Sequence, residues 1–116
     1  MKEIEKKALA YLGFAVRARR AIIGVPLICE ALKKTLNGRE NAPFIVLEAA
    51  DTSPNTHKRI IDRTTYYNTP SVQLSLDGEA LATAAGKRGG TVGAVAVTDI
   101  NLAVQIAALY GITLKR

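Results

Sequence analysis

At 116 residues, 48% hydrophobic and 22% charged, the chain is one domain by length (1–116) with enough apolar material for a core, which excludes wholesale disorder. No apolar run reaches the ~18–20 residues of a membrane span, and the charged start MKEIEKKALAYLGFAVRARR has no apolar stretch of secretory type. With a single cysteine, Cys29, incapable of an internal disulfide, this predicts a soluble domain in the reducing cytoplasm, with no membrane partner. The net charge of +6 is one-sided: residues 1–39 hold nine bases against three acids, whereas residues 40–116 hold seven of each. Such polarity suits a polyanion such as RNA, or serves as a solvated basic face.

Ile4, Ala8, Leu12 and Ala15 recur at helical spacing and predict a helix from Glu3 to Arg17. Ala21-Ile22-Ile23, between Arg20 and Gly24, reads as a short strand. Gly24 opens a second helix, with Pro26 in its first turn and Leu27, Ile28, Ala31 and Leu32 as its apolar face. Asn37-Gly38 supplies its left-handed stop. The apolar run Phe44 to Ala49 predicts a buried strand, followed by Ser53-Pro54 as N-cap and first residue of a third helix. That helix carries His57, Ile60, Ile61 and Thr64 on one side and ends near Tyr67-Asn68. Val72-Gln73-Leu74 is the next strand, and Asp77 caps a short helix through Leu81 to Ala85. After the glycine-rich stretch Gly86 to Gly90 come a strand, Val92 to Val97, and a last helix from Ile100 to about Tyr110, capped by Thr98 or Asp99. Alternation of this kind predicts an α/β domain with a sheet covered on both faces.

The residues do not assemble a catalytic or metal site. One His and one Cys, 28 positions apart, are not a ligand cluster. His57, the only imidazole, reads as a rim or surface residue and Cys29 as a buried small hydrophobe. The acids are scattered. Gly86 to Gly90 fails the phosphate-loop pattern, since Leu81 stands where its first glycine belongs and Arg88 where its Ser or Thr does.

Several blocks in order carry a resemblance: Leu12-Gly13-Phe14-Ala15-Val16-Arg17-Ala18-Arg19-Arg20, Gly24 at a helix start, and Phe44-Ile45-Val46-Leu47 leading into Ala49 to Thr56. Tyr67-Asn68-Thr69-Pro70, Leu81 to Gly86 and Val92 to Asp99 follow. The sequence from about residue 4 to 109 resembles the kink-turn-binding ribosomal protein family (large-subunit proteins seven-Ae and thirty-e and relatives), especially its small bacterial members. The resemblance implies a three-layer α-β-α sandwich on a four-stranded mixed sheet, without cofactor or catalysis. It also implies an RNA surface at Gly24 to Glu30, near His57, and from Lys87 to Val92. On this chain that names Gly24, Val25, Pro26, Leu27, Glu30, His57, Lys87, Arg88, Gly89 and Val92. Arg19 and Arg20 before the helix, with Lys33 and Lys34 along it, are expected to contact phosphate from the flanks. The expected partner is ribosomal or other structured RNA, with the ribosome as an expected site of action.

The chain departs from the family's Gly-x-Asn-Glu-x-x-Lys tract: Pro26 stands for Asn, Leu27 for Glu and Glu30 for Lys. Proline and leucine have no polar side-chain atoms to offer a base, and Glu30 repels phosphate. The alternative expectation is therefore a protein-interaction module of the same fold, docking through Val25-Pro26-Leu27.

Overall fold

A computed structural model describes residues 2–34 and 42–114. The elements within them alternate: α1 (Glu3–Arg17), β1 (Ala21–Ile23), α2 (Val25–Lys34), β2 (Ile45–Glu48), α3 (Pro54–Tyr66), β3 (Ser71–Gln73), α4 (Gly78–Ala84), β4 (Ala94–Val97) and α5 (Ile100–Leu109). The predicted stop at Asn37-Gly38 lies outside the described residues. Three strands are shorter or displaced relative to expectation. Ala49, Leu74 and Val92 are buried, so they carry the apolar signal of a strand, but they lie beyond the paired residues.

The sheet order is β1-β4-β2-β3. β4 runs antiparallel to both β1 and β2, with Ala21 and Ile45 both opposite Val97, while β3 is parallel to β2 with Leu47 opposite Val72. The sheet is thus mixed. All residues of β2 and β4 are buried, and alternate side chains enter two different cores. Ile45, Leu47, Val95 and Val97 pack with Ala8, Leu12 and Ala15 of α1, Leu81 of α4 and Ile106 of α5. On the other face Val46, Ala94 and Ala96 pack under Val25, Ile28, Cys29 and Leu32 of α2 and Ile60 of α3. Cys29 is a buried free thiol.

Two amphipathic readings need correction. Ile4 is 43% exposed, and Glu5 is buried in α1 instead. Its carboxylate accepts Ser75 N–H at 2.7 Å and the Ser75 hydroxyl, which fastens α1 to the end of β3 across 70 positions. Burial, and then the Glu5 charge, raise the Tyr110 phenol above its ordinary pKa. In α2, Leu27 is 62% exposed because it lies off the face that packs on the sheet.

Four helix ends share one closure. After α1, α3, α4 and α5 a residue of positive φ follows the cap: Arg19 (58°), Asn68 (52°), Gly86 (81°) and Gly111 (72°). In each case the next N–H reaches back five residues, as in Arg20 to Ala15, Thr69 to Thr64, Lys87 to Ala82 and Ile112 to Ala107, at 2.8–2.9 Å. These are Schellman closures, which satisfy carbonyls that the helix leaves over.

Candidate nucleic-acid interface

Three segments converge on a cleft of about 500 Å³ at one end of the sheet. The first is the entry to α2. Gly24 has φ +103°, donates its N–H to Ala94 O at 3.0 Å and accepts Ile28 N–H at 3.1 Å, so it is both the end of the β1 turn and the helix cap. Pro26 sits in the first turn, where a missing N–H breaks no helical bond. Val25 and Pro26 form the apolar wall.

The second segment leads from β2 into α3. Ser53 caps α3 through Thr56 N–H at 3.2 Å, with Pro54 following at its start. Thr52, Thr56 and Arg59 face the cleft at helical spacing. The third is the approach of α4 to β4. Asp51 Oδ1 accepts Gly78 N–H at 2.7 Å, and Val92 N–H donates to Gly78 O at 2.9 Å. A β-carbon on Gly78 would meet Val92 O at 3.2 Å, so a larger residue there would push the two backbones apart by a few tenths of an ångström. Lys87 and Thr91 complete the wall from the loop between them.

Gly24 offers a test of this geometry. No atom lies within 4 Å of where its β-carbon would be, so Gly24→Ala perturbs only the left-handed backbone. A loss of about 1–2 kcal/mol in unfolding free energy is expected, read by denaturant titration; an unchanged midpoint would mean that the turn relaxes freely.

The structure brings together part of the site expected from sequence. Gly24, Val25, Pro26, Lys87 and Val92 line the cleft, although Val92 is only 5% exposed and belongs mainly to the core. Leu27 is exposed in the first turn of α2, and Arg88 and Gly89 are exposed in the loop beside Lys87. Glu30 is exposed further along α2. Lys33 and Lys34 occupy the last turn of α2, about 13 Å along the axis from its start. Arg19 and Arg20 stand at the far end of β1, also about 13 Å from Gly24 along an extended chain. The cleft's cations are instead Arg59 and Lys87, from the two-thirds of the chain with no net charge.

His57 does not line the cleft. It is partly exposed as expected, but Nδ1 donates to the Glu48 carboxylate, 2.9 Å from Oε1 and 2.8 Å from Oε2. Glu48 is fully buried, inside a run read as apolar, and also accepts the Thr52 hydroxyl. The carboxylate therefore fastens the start of α3 to β2 from beneath and fixes Thr52 at the cleft. The Glu48 carboxylate thus holds the Thr52 hydroxyl and the His57 imidazole at once, and the imidazole does not touch the hydroxyl. Among the described residues no three His, Cys, Asp or Glu side chains are grouped to hold a metal ion. Likewise no helix there is long and apolar enough to cross a membrane.

Asp51, Thr52, Thr56 and Arg59 were missed at the sequence level. Their signal was present: Thr52, Thr56 and Arg59 follow one another at four and three positions around the capped start of α3.

No family model matches the chain. The RNA-binding protein YlxQ of Bacillus subtilis is 34% identical over 98 residues, covering 84% of this chain and 89% of that protein. The chain belongs to the YlxQ family. The protein of the same name from Enterococcus faecium is 32% identical over 74 residues, 64% of this chain and 66% of that one. Among solved structures, a Bacillus halodurans protein of unknown function superposes with TM-score 0.76 at 27% identity, covering 90% of this chain and 97% of that one. The Giardia lamblia 15.5kD RNA binding protein superposes with TM-score 0.71 at 18% identity over 93% and 88%, which supports the shared sandwich fold.

Proposed function

We propose that this YlxQ family member is a non-enzymatic RNA-binding protein that grips an irregular, kinked RNA in the cleft at Gly24. The observation that carries the reading is the cleft's composition: an open helix start at Gly24 and Val25, with Arg59 and Lys87 on the facing walls. Helix N-termini hold anions through their dipole and unpaired N–H groups, here without Gly24 N–H, which is bonded to Ala94 O, and without Pro26, which has none. Exposed Pro26, beside the largely buried Val25, offers an apolar surface for an unstacked base. The names of the two bacterial relatives support the same ligand class. Pro26, Leu27 and Glu30 deprive α2 of the side chains its wider family turns on base edges, so recognition here rests on shape, phosphate and the α3 wall. The ribosome, rich in structured RNA, is the proposed site of action, in the cytoplasm.

The test is a titration against a kink-turn hairpin and an unbroken duplex of equal length at two salt concentrations. Roughly tenfold preference for the hairpin is expected, with affinity for both falling steeply as salt rises. Introducing Pro26→Asn, Leu27→Glu and Glu30→Lys together should widen the preference, each good base contact contributing about 1–3 kcal/mol. Equal binding to both RNAs would reduce the activity to phosphate attraction. Absence of binding at low salt would sink the proposal and favour the second reading, a protein partner, for which the specific observation is Leu27 exposed beside Pro26.

A further inference from the structure

The outward face of α3 does not end at the cleft. Thr56, Arg59, Arg63 and Tyr66 are spaced three, four and three residues apart, which places them along one side of the helix. Thr56 and Arg59 line the cleft. One turn beyond Arg59, a second concavity of about 370 Å³ is lined by Asp62, Arg63, Tyr66 and Tyr67. Tyr66 is 73% exposed, the most open of the large hydrophobic side chains described, and contributes little to either core. Its ring is nevertheless held: Tyr67, packed against the α2–α3 core, meets it edge-on at 4.8 Å and 82°. Tyr66 thus presents an aromatic surface already braced from one side.

We infer that the RNA path continues from the cleft along α3 and that Tyr66 stacks a single-stranded nucleotide flanking the gripped element. This rests on the proposed RNA-binding reading. The chemistry of the face selects the ligand. On this side Arg59 and Arg63 outnumber Asp62, which favours a phosphate chain passing over the helix. The residues sharing the second concavity with the tyrosines are Asp62 and Arg63, not the apolar ring a protein anchor would need. A base needs one aromatic face and a nearby cation, and stacking accepts any base. Seven residues of helix put Tyr66 about 10 Å beyond Arg59, so the strand runs past the cleft rather than into it.

The experiment compares the kink-turn hairpin with the same hairpin carrying a three-nucleotide single-stranded extension at its 5′ or its 3′ end. One extension should tighten binding at least about fivefold, the low end of base–aromatic stacking. Tyr66→Ala should abolish that gain and leave affinity for the unextended hairpin within twofold, whereas Tyr66→Phe should keep the gain. Since the chain has no tryptophan, tyrosine emission reads the contact directly: the extended RNA should quench wild type more than the unextended one, and Tyr66→Phe should erase the difference. An unextended hairpin that binds, with neither extension adding anything, would overturn the Tyr66 site and leave the cleft standing. A gain that survives Tyr66→Ala would also overturn it, as would self-association that Tyr66→Ala abolishes. Failure of every RNA to bind would overturn both readings together.

Discussion

Neutralising the two cleft cations, Arg59→Gln with Lys87→Gln, is expected to weaken RNA binding at least about 100-fold near 0.1 M salt. A hydrogen bond to a charged group contributes about 1.5–3 kcal/mol, which is tenfold or more for each side chain. The slope of log affinity against log salt should fall by about 1.4 to 1.8, because two phosphates are no longer neutralised. The fold should persist, since both residues are exposed and outside the cores. Charge removed at Lys33 and Lys34, a helix length from the cleft, should cost less than tenfold. If that pair matters more than Arg59 and Lys87, RNA lies along α2 and the cleft is not its main seat. Calorimetric or fluorescence titration at three salt concentrations separates the two.

The second large effect concerns the anchor under α3. His57→Ala leaves the Glu48 carboxylate buried in the sheet with the Thr52 hydroxyl as its remaining side-chain partner. A buried acceptor stripped of a partner costs about 1–3 kcal/mol, and more when it is charged. His57 is 42% exposed, so water can reach part of the vacated space and holds the loss near 2 kcal/mol. At about 4 °C per kcal/mol for a domain of this size, Tm falls by about 8 °C. Replacing both, Glu48→Leu with His57→Leu, should recover most of that loss, because an apolar pair has no ion to desolvate. Should the double variant melt below His57→Ala, the pair stabilises the fold in its own right. RNA affinity of His57→Ala, measured well below its Tm, should also drop severalfold through Thr52, which Glu48 holds at the cleft.

Helices were legible where periodicity and capping agreed. Glu3–Arg17 follows from its stripe, and Ser53-Pro54 and Asp77 mark the starts of α3 and α4 because a side chain there must satisfy a free N–H. Burial was legible in β2 and β4 for the same reason that their ends were not: Ala49 and Val92 are as apolar as their paired neighbours. Glu48 was the informative exception. An acid inside an apolar run demands a partner, and the partner, His57, is nine positions away on the next helix, a distance only the turn at Ala50–Ser53 makes short. The cleft was half legible. Its α2 wall and its Lys87 to Val92 wall came from the family resemblance, which pointed to the start of α3 only through His57; Thr52, Thr56 and Arg59 become a wall where Asp51 and Gly78 bring α4 alongside. Net charge pointed to the first third of the chain. The folded arrangement instead places two cations from elsewhere at the cleft.

The order β1-β4-β2-β3 also governs how the molecule comes into being on the ribosome. The strand made last, Ala94–Val97, is an interior one, flanked on both sides by strands made long before it. Until it emerges, Ala21–Ile23 has no neighbour in the sheet and Ile45–Glu48 has one open edge, so a nascent chain can complete only the parallel β2–β3 ribbon. Closure is then a late, long-range event that seats one strand between two waiting ones. A chain halted before residue 94 would display two unpaired apolar edges, the templates on which strands from different molecules pair.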